Sequence, residues 1–573
     1  MPIAKVIFNG ETQMDTTGMT VDTSHLLTGY TALDRTGAVI TGNAVSSVEA
    51  ISVTEELDSH GGTIKHINAV NISDTTAVAA DVAQGKYFYT AAGVKTAGTS
   101  SGGGGSSLKA LNFIDYDGTI VNSYTAQEAQ ALSSLPANPS HTGLTAQGWN
   151  WTLANIKSYL TSYPNAVVNV GQMYTTSSGL TEIDVTIKLD GLHPYMSLAV
   201  DGVVSINWGD GSSIDTLSGS SLTTQVYKDH TYSEAGNYTI SILATSGSFT
   251  FYTSASNSAP GILRVAAADE AASISRKYAE NVTAVRLGTG ITTIGAFAFQ
   301  SCFGLEYITI PNTVTTINGY AFNYCLSLKS LTIPTGVTTL SNYAFQYCFV
   351  IESISLPHGI TTLAQYAFSN CFALKYITIP STVTSVATRL FQYCYALKDI
   401  TIPTSITSLS SYFFYYCHGL SSIKLHNNIT SMSTYTLYNC HVLKEITLPS
   451  SLGTIGNYMF QNCFGLRTIN ITSNITSIGT SSFQYCESLT KLTFPSTLTS
   501  IAAQAFSACR SMEEYHFQST APPTLANTNA FTGIPSYCKI YVPYSADHSV
   551  LNAYKTASNW STYADYIVEE PQS

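Results

Sequence analysis

Charge is scarce in this chain. Asp, Glu, Lys and Arg together make up 10% of its 573 residues, against roughly 25% in an ordinary soluble protein. Most of the surface therefore has to be built from uncharged Ser, Thr, Asn, Gly and Tyr. The 24 Lys and Arg form no cluster along the sequence, and the net charge is −11. Such a chain has little with which to neutralise phosphates, which argues against nucleic acid and an anionic membrane surface as partners. Long apolar runs are missing too, so no membrane insertion is expected. The opening MPIAKVIFNGETQMD has a single Lys and no apolar stretch of secretory length, which argues against export by a signal peptide. Catalytic signatures are absent as well: there is no P-loop, GxSxG elbow, HExxH or Gly-rich dinucleotide turn. No CxxC or CxxH pair offers a zinc site. The expectation is a non-enzyme with no catalytic residues, no metal and no cofactor, and a length that calls for several domains.

Cysteine is present, and its positions are informative. Ten of the 11 cysteines, Cys302, Cys325, Cys348, Cys371, Cys394, Cys417, Cys440, Cys463, Cys486 and Cys509, stand 23 residues apart, and only Cys538 is off register. One thiol per turn of a repeat gives a line of sulfurs rather than a tetrahedron, so these read as buried, reduced, structural thiols. Three residues before each Cys is a Phe, with Leu437 the exception. Three residues after it stands Leu, Ile or Met, and at +6 and +8 come pairs such as Ile308 with Ile310. The +6/+8 spacing is the period of a strand with one face inward, leaving +5 and +7, mostly Ser, Thr and Tyr, outside. A Pro commonly ends that strand (Pro311, Pro334, Pro357), because it cannot donate to a ladder. No single turn can bury its apolar face alone, so the turns must stack, at about 4.8 Å each where their strands pair.

The turn INGYAFNYCLSLKSLTIPTGVTTL resembles the BspA-type leucine-rich repeat, and the pattern AF..C..L..I.IP..VT.I runs from about Val282 to Phe517. The resemblance implies a ten-turn solenoid over 282–518 serving adhesion or ligand binding. The tail 519–573 resembles the strand-then-helix cap that closes such arrays. Upstream, SSGGGGSS at 100–107 is a flexible linker. Before it, 1–99 carries a duplication: Gly29, Gly37 and Gly42 recur with the same spacing as Gly85, Gly93 and Gly98, in small β modules similar to those of phage tail proteins of Gram-positive hosts. Residues 108–170 form a small α+β segment, with a hairpin turn at Asp117-Gly118 and a capping box, Thr125 to Glu128, opening a helix. Asp115 and Asp117 read as solvated turn formers rather than an acid pair. Residues 171–268 alternate as antiparallel strands. Trp208, Gly209, Asp210 and Gly211, with His230, Tyr232, Gly236 and Tyr238, resemble a PKD-type immunoglobulin-like sandwich, which implies turn and corner roles rather than catalysis for His230 and Asp210. A connector, 269–281, follows. The fold class is thus mainly β and multidomain.

With −3, 0 and +3 filling the interior, −5, −1 and +1 are expected to point largely outward, and they are unusually aromatic. Position −5 holds Tyr320, Tyr343, Tyr366, Tyr412, Tyr435 and Tyr458. Position −1 holds Tyr324, Tyr347, Tyr393, Tyr416 and Tyr485, and +1 holds Phe303, Phe349, Phe372, Tyr395, His418, His441 and Phe464. Stacked turn on turn they form rows along one edge, suited to a cell-surface protein or glycan. Carboxylates are sparse in the solenoid and are expected to recur at no fixed slot, against a glycosidase-like acid pair. A composition of extracellular type without a signal peptide, together with the phage-like modules, points to a homo-oligomeric tail protein of a virion. In that reading 1–99 attach to other tail or baseplate proteins and the solenoid binds the host receptor. The alternative is a bacterial surface adhesin of BspA-like type.

Overall fold

The computed structural model describes residues 109–188, 194–251, 264–265 and 281–571, and the backbone of eight short strands between residues 3 and 97. The chain divides into two compact units, 1–108 and 109–573. In the first, Thr31–Asp34 and Val39–Thr41 form a hairpin, as do Tyr87–Tyr89 and Lys95–Ala97. The two hairpins are offset by the same interval that separates Gly29 from Gly85. The Gly/Ser linker and nearly all of the connector lie outside the described residues.

The second unit opens with a four-stranded sheet of Leu111–Ile114, Ile120–Tyr124, Leu144–Trp149 and Val168–Thr176. Its helices are Ala126–Ala131 and Leu153–Ser162. The expected capping box is formed: the Thr125 hydroxyl accepts from the Glu128 amide at 3.2 Å and the Glu128 carboxylate accepts from the Thr125 amide at 2.7 Å. The domain boundary expected at 170/171 falls inside the strand Val168–Thr176, every residue of which is buried. Asp115 also departs from expectation. It is 5% exposed, and its carboxylate lies 2.7 Å from His141 Nε2, where the turn chemistry alone indicated a solvated group. Asp117 does behave as a turn former, accepting from the Thr119 amide at 2.9 Å.

Strands Thr181–Ile187, Pro194–Asn207, Asp215–Asp229 and Gly236–Phe251 are antiparallel, as the alternation indicates. They form one sheet rather than two stacked ones, and it runs on into the solenoid: Thr181–Ile187 pairs with Val282–Arg286, which pairs in parallel with Tyr307–Thr309. Gly202 faces Gly219 on one side and Gly247 on the other. A Cβ on Gly247 would lie 1.5 Å from the Asp201 carbonyl, so this line across the sheet admits no side chain. Trp208 is buried, with Nε1 donating to Asp215 at 2.9 Å. His230 stacks on it at 4.7 Å with Nε2 2.8 Å from Asp210, and the Tyr232 hydroxyl donates to the Trp208 carbonyl. These residues hold a corner.

In the solenoid the short strands pair in parallel from turn to turn, and the ladder continues past the tenth Cys turn into Lys539–Val542 and Ile567–Glu569. The Phe rings at −3 stack face to face from Phe299 to Phe414 at 5.2–5.9 Å, and again from Phe460 through Phe531 after the break at Leu437. Phe251 of the upstream sheet packs on Phe299 at 5.3 Å, and Trp560 of the cap on Phe531 at 5.7 Å, so both ends of the column are closed. All 11 cysteines are free and buried. From Cys325 to Cys509 each ladder thiol donates to the carbonyl of the −3 residue in the turn before, at 3.1–3.4 Å. That carbonyl also accepts its own turn's Cys amide, as in Cys325 N to Phe322 O at 3.1 Å. Cys is therefore chosen over Ala or Val because it is a small apolar group that also satisfies the second lone pair of a buried carbonyl. Burial raises the thiol pKa values, those of Cys348, Cys463 and Cys509 to about 12, which keeps them protonated and inert.

The α+β module packs across the outward strand face of the early turns. Asn150 Nδ2 donates to the carbonyls of Ile333 and Ser355, while its Oδ1 accepts from Gly171 N and Ser355 Oγ. Trp151 Nε1 donates to Leu356 O at 2.7 Å and Tyr159 OH to Ile379 O at 2.9 Å. Ser330 and Thr378 donate to Tyr116 O and Val167 O. A Cβ on Gly171 would come 2.1 Å from Thr332 Oγ1, so glycine is what lets the strand approach. The +7 slot expected to face solvent is thus buried here, as is Ser330 at +5: Thr309, Ser330, Thr332, Ser355 and Thr378 are all under 9% exposed, while Tyr307, Ser353 and Tyr376 at +5 are half-buried.

Candidate functional site: an aromatic edge

The edge carrying the aromatic rows is built on left-handed backbone. Every −5 residue from Phe297 to Gln504 and every −1 residue from Ser301 to Ala508 has φ between +50° and +64°, a region that costs a non-glycine residue about 1–2 kcal/mol. The left-handed turns let amides at −5, −3 and −1 donate to the next turn, as in Tyr320 N to Asn342 O, Phe322 N to Ala344 O and Tyr324 N to Gln346 O at 2.8–3.1 Å. Ring stacking, about 0.5–1.5 kcal/mol per pair, is of the right size to offset the strain.

The structure joins the sequence-predicted residues into rows. At −5, Phe297, Tyr320, Tyr343 and Tyr366 stack at 4.5–4.9 Å, then Tyr412, Tyr435 and Tyr458 at 4.6–4.8 Å. Between the two runs Arg389 places its guanidinium over Tyr366 and Tyr412, at 5.2 and 4.6 Å from the ring centres, a cation–π bridge that keeps the row continuous. Nothing in the sequence marks Arg389 as part of an aromatic row, because its place shows only when the turns stack. At +1, Phe349, Phe372, Tyr395, His418, His441 and Phe464 form an unbroken series with centroids 4.2–5.0 Å apart. The −1 row is broken: Tyr324 stacks on Tyr347 at 4.3 Å and Tyr393 meets Tyr416 at 5.2 Å, with Asn370 between the pairs. Tyr415 and Tyr438, at −2 and outside the three slots expected to carry the rows, stack at 4.9 Å and link the −5 and −1 rows in the middle turns. Phe303 joins no stack among the described residues.

These side chains point outward less than expected. Of those in the rows only Tyr324, Tyr485 and Phe464 are exposed, at 37–39%, and the others are half-buried. The reason is the stack: each ring covers its neighbour's face and presents its edge and hydroxyl. Burial raises the phenols of Tyr320, Tyr347, Tyr393 and Tyr435, and that of Tyr395 to about 12. Burial, with the adjacent His441, lowers His418 to about 4, and burial lowers His441. From Phe297 to Phe464 the edge slots carry one Arg, Arg389, and no Lys, Asp or Glu, while Glu487 and Arg510 stand at +1 in the last two turns. His418 Nε2 is buried with no hydrogen-bond partner.

Carboxylates do share slots, contrary to expectation: Glu306, Glu352 and Glu513 all stand at +4, and Asp399, Glu445 and Glu514 at +5. Of the +4 acids, Glu306 and Glu352 are held by lysines of the next turn, Lys329 at 2.6 Å and Lys375 at 2.8 Å, an ion-pairing arrangement rather than an acid pair. No group of three or more metal-ligating side chains occurs among the described residues, and no helix there is long and apolar enough to cross a membrane. A groove of about 620 Å³ over the second strand row, lined by residues such as Thr454, Gly456, Ser477 and Ser500, contains no charged side chain.

The model of the BspA type leucine rich repeat region matches this chain over 276–398, 386–513 and 476–563, in six copies, together just over half of its length. The chain belongs to this BspA-type leucine-rich-repeat family. Similar solved structures include a leucine-rich repeat protein from Bacteroides ovatus, 23% identical over 51% of this chain and 85% of that one, with a TM-score of 0.37. A leucine rich cell surface protein from Faecalibacterium prausnitzii is 26% identical over 49% of this chain and 83% of that one, with a TM-score of 0.32. The pneumococcal vaccine antigen PcpA is 18% identical over 50% and 78%, with a TM-score of 0.33. Among curated proteins none matches. The ten-turn BspA-type array read from the Cys register is therefore this family's repeat, with its ladder extended into the cap.

Proposed function

We propose that this BspA-type chain is a recognition protein without catalytic activity, binding a surface ligand of another cell through its aromatic edge. The observation that carries this reading is the continuity of the rows: six aromatic side chains in series at +1 beside a −5 row bridged by Arg389. Contiguous Tyr and Phe give large amphipathic contact area at little side-chain entropy cost. One setting is a virion tail, with the chain attached through 1–99 as a homo-oligomer; it rests on the resemblance of the duplicated Gly29/Gly85 modules to those of phage tail proteins. Family membership favours the second setting, a bacterial surface adhesin. Detecting the chain in purified tail particles, against detecting it on the producing cell's envelope, separates the two.

Because the α+β module is bonded to the early turns, the fragment to test is 109–573 rather than the solenoid alone. The −1 slot supplies its own substitution, since Asn370, Asn439 and Asn462 already occupy it in left-handed conformation. The triple variant Tyr347→Asn, Tyr393→Asn, Tyr416→Asn should lose most binding to target cells while keeping a cooperative unfolding transition. Undiminished binding would remove the edge from the recognition surface.

A further inference from the structure

We infer that the target of this edge is a linear anionic polysaccharide, laid along the solenoid axis beside the +1 row of the middle turns. The inference rests on the recognition reading above and gives it a ligand class. Apart from Arg286 and Arg389, the repeat's basic residues divide into two groups. Lys329, Lys375, Lys491 and Arg510 each reach a carboxylate of a neighbouring turn. Lys398, Lys424, Lys444 and Arg467 form no ion pair among the described residues and are exposed. Lys424 stands on the strand face at +7, and the other three stand at +4, three residues after Tyr395, His441 and Phe464 of the +1 row. Dispersed in the sequence, they become a single basic row only when the turns stack, in a chain whose net charge is −11.

Nothing in the described residues covers this row. The last hydrogen bond from the α+β module is to Thr404, from Tyr163. The carboxylates closest in sequence are Asp399 and Glu445, each at +5. Asp399 accepts from Ser421 Oγ at 3.3 Å, and these two acids leave the strip with a surplus of one positive charge. Charge complementarity asks for an anion, and the site's translational repeat asks for a polymer. Lys444 and Arg467 are one turn apart, about 4.8 Å, comparable to the length of one hexose, and Lys398 lies two turns before Lys444. A polymer with one carboxylate or phosphate per sugar or per disaccharide meets that spacing all along its length. Sugar hydroxyls would meet the Tyr395 hydroxyl, and the terminal ring of the series, Phe464, 39% exposed, offers a face for a pyranose. An extended acidic peptide repeats on one face only every two residues, roughly 6.4–6.8 Å, which does not match one turn.

The test uses the full chain with polygalacturonate as probe, dextran as the neutral polymer, and polyglutamate and polyuridylate as the other anionic polymers, read by titration calorimetry at low and high salt. Polygalacturonate should bind, weaken as salt is raised, and lose at least about tenfold in affinity in the variant Lys398→Ala, Lys444→Ala, Arg467→Ala. The variant Lys329→Ala, Lys375→Ala, which removes the same type of residue from ion-paired places, should bind as the parent does. No binding of polygalacturonate, equal binding of dextran, tighter binding of polyglutamate or polyuridylate, or an unchanged triple variant would each overturn the inference. If the basic triple variant still binds cells while the Tyr-to-Asn variant does not, this ligand class falls and the recognition surface stands. If the parent chain binds no cells, the recognition reading itself falls.

Discussion

The early and late halves of the solenoid's strand face are built on one backbone pattern and differ in what lies over them. In the early turns the +7 slot holds Thr309, Thr332, Ser355 and Thr378, each buried under the α+β module. In the later turns the same slot holds Thr401, Lys424, Thr447, Asn470, Thr493 and His516, none of them buried. A small hydroxyl can satisfy itself against a protein carbonyl, as Ser355 does against Asn150 and Asn169, whereas an ammonium needs water or a counter-ion. The repeat fixes the backbone, and the neighbour fixes the outward residue.

The largest effect should come from moving a late-half residue into the early half. Ser355→Lys places an unpaired charge at a position 3% exposed and should cost about 3 kcal/mol or more, visible in urea unfolding of 109–573. A loss under about 1 kcal/mol would mean the module lifts off easily. Gly171→Ala attacks the same interface from the other side. With Thr332 Oγ1 only 2.1 Å and Cγ2 2.7 Å from the added carbon, it should cost about 2 kcal/mol, and a Thr332→Ala partner, which removes both atoms, should restore part of the stability and so locate the clash. Cys394→Ser acts on the column that both halves share. The shorter C–O bond leaves the hydroxyl farther from the Phe368 carbonyl than the thiol at 3.2 Å, so a loss of about 1–2 kcal/mol is expected, and ladder thiols in the folded protein should resist alkylation. Ladder disulfides in unreduced mass spectra would contradict that last expectation.

Acid should weaken the +1 row in the late half. Burial holds His418 at about 4, below its ordinary 6.5, so the unfolded chain takes up the proton first. Stability is then full above about pH 6.5 and declines as pH falls toward 4. His418→Phe, which puts in this slot the residue already found at Phe349, Phe372 and Phe464, should flatten part of that decline, and an identical pH profile would assign it elsewhere. The smallest effect belongs to the reverse swap, Lys424→Ser, which should change stability by less than about 0.5 kcal/mol.

The interior was legible in the sequence because every turn makes the same demand on the same slot: Cys, Phe and Leu recur where the core recurs. The edge was legible as composition but not as geometry. Tyrosine does not announce a left-handed backbone, and only Asn370, Asn439 and Asn462, residues tolerant of that region, hinted at it. The docking of the α+β module was not read, since Ser and Thr suit solvent and a protein partner equally. The sign that was there is the absence of any charged residue from +5 and +7 until Asp399. Asp115 was misjudged for a related reason: turn propensity is local, and His141, 26 residues away, is not. The glycine line Gly202, Gly219 and Gly247 was likewise invisible until the register brought the three together.

The donor pattern along the edge and the thiol column gives each turn an upstream side and a downstream side that are alike in every turn. A chain that lost residues 372–394 in register would seat Tyr395 on Phe349 and Cys417 beneath Phe368, with every amide and thiol again facing a carbonyl. Whole 23-residue units can thus be added or removed by unequal crossing-over within the coding repeat, and lineages are expected to differ in the length of the aromatic edge while sharing its cross-section.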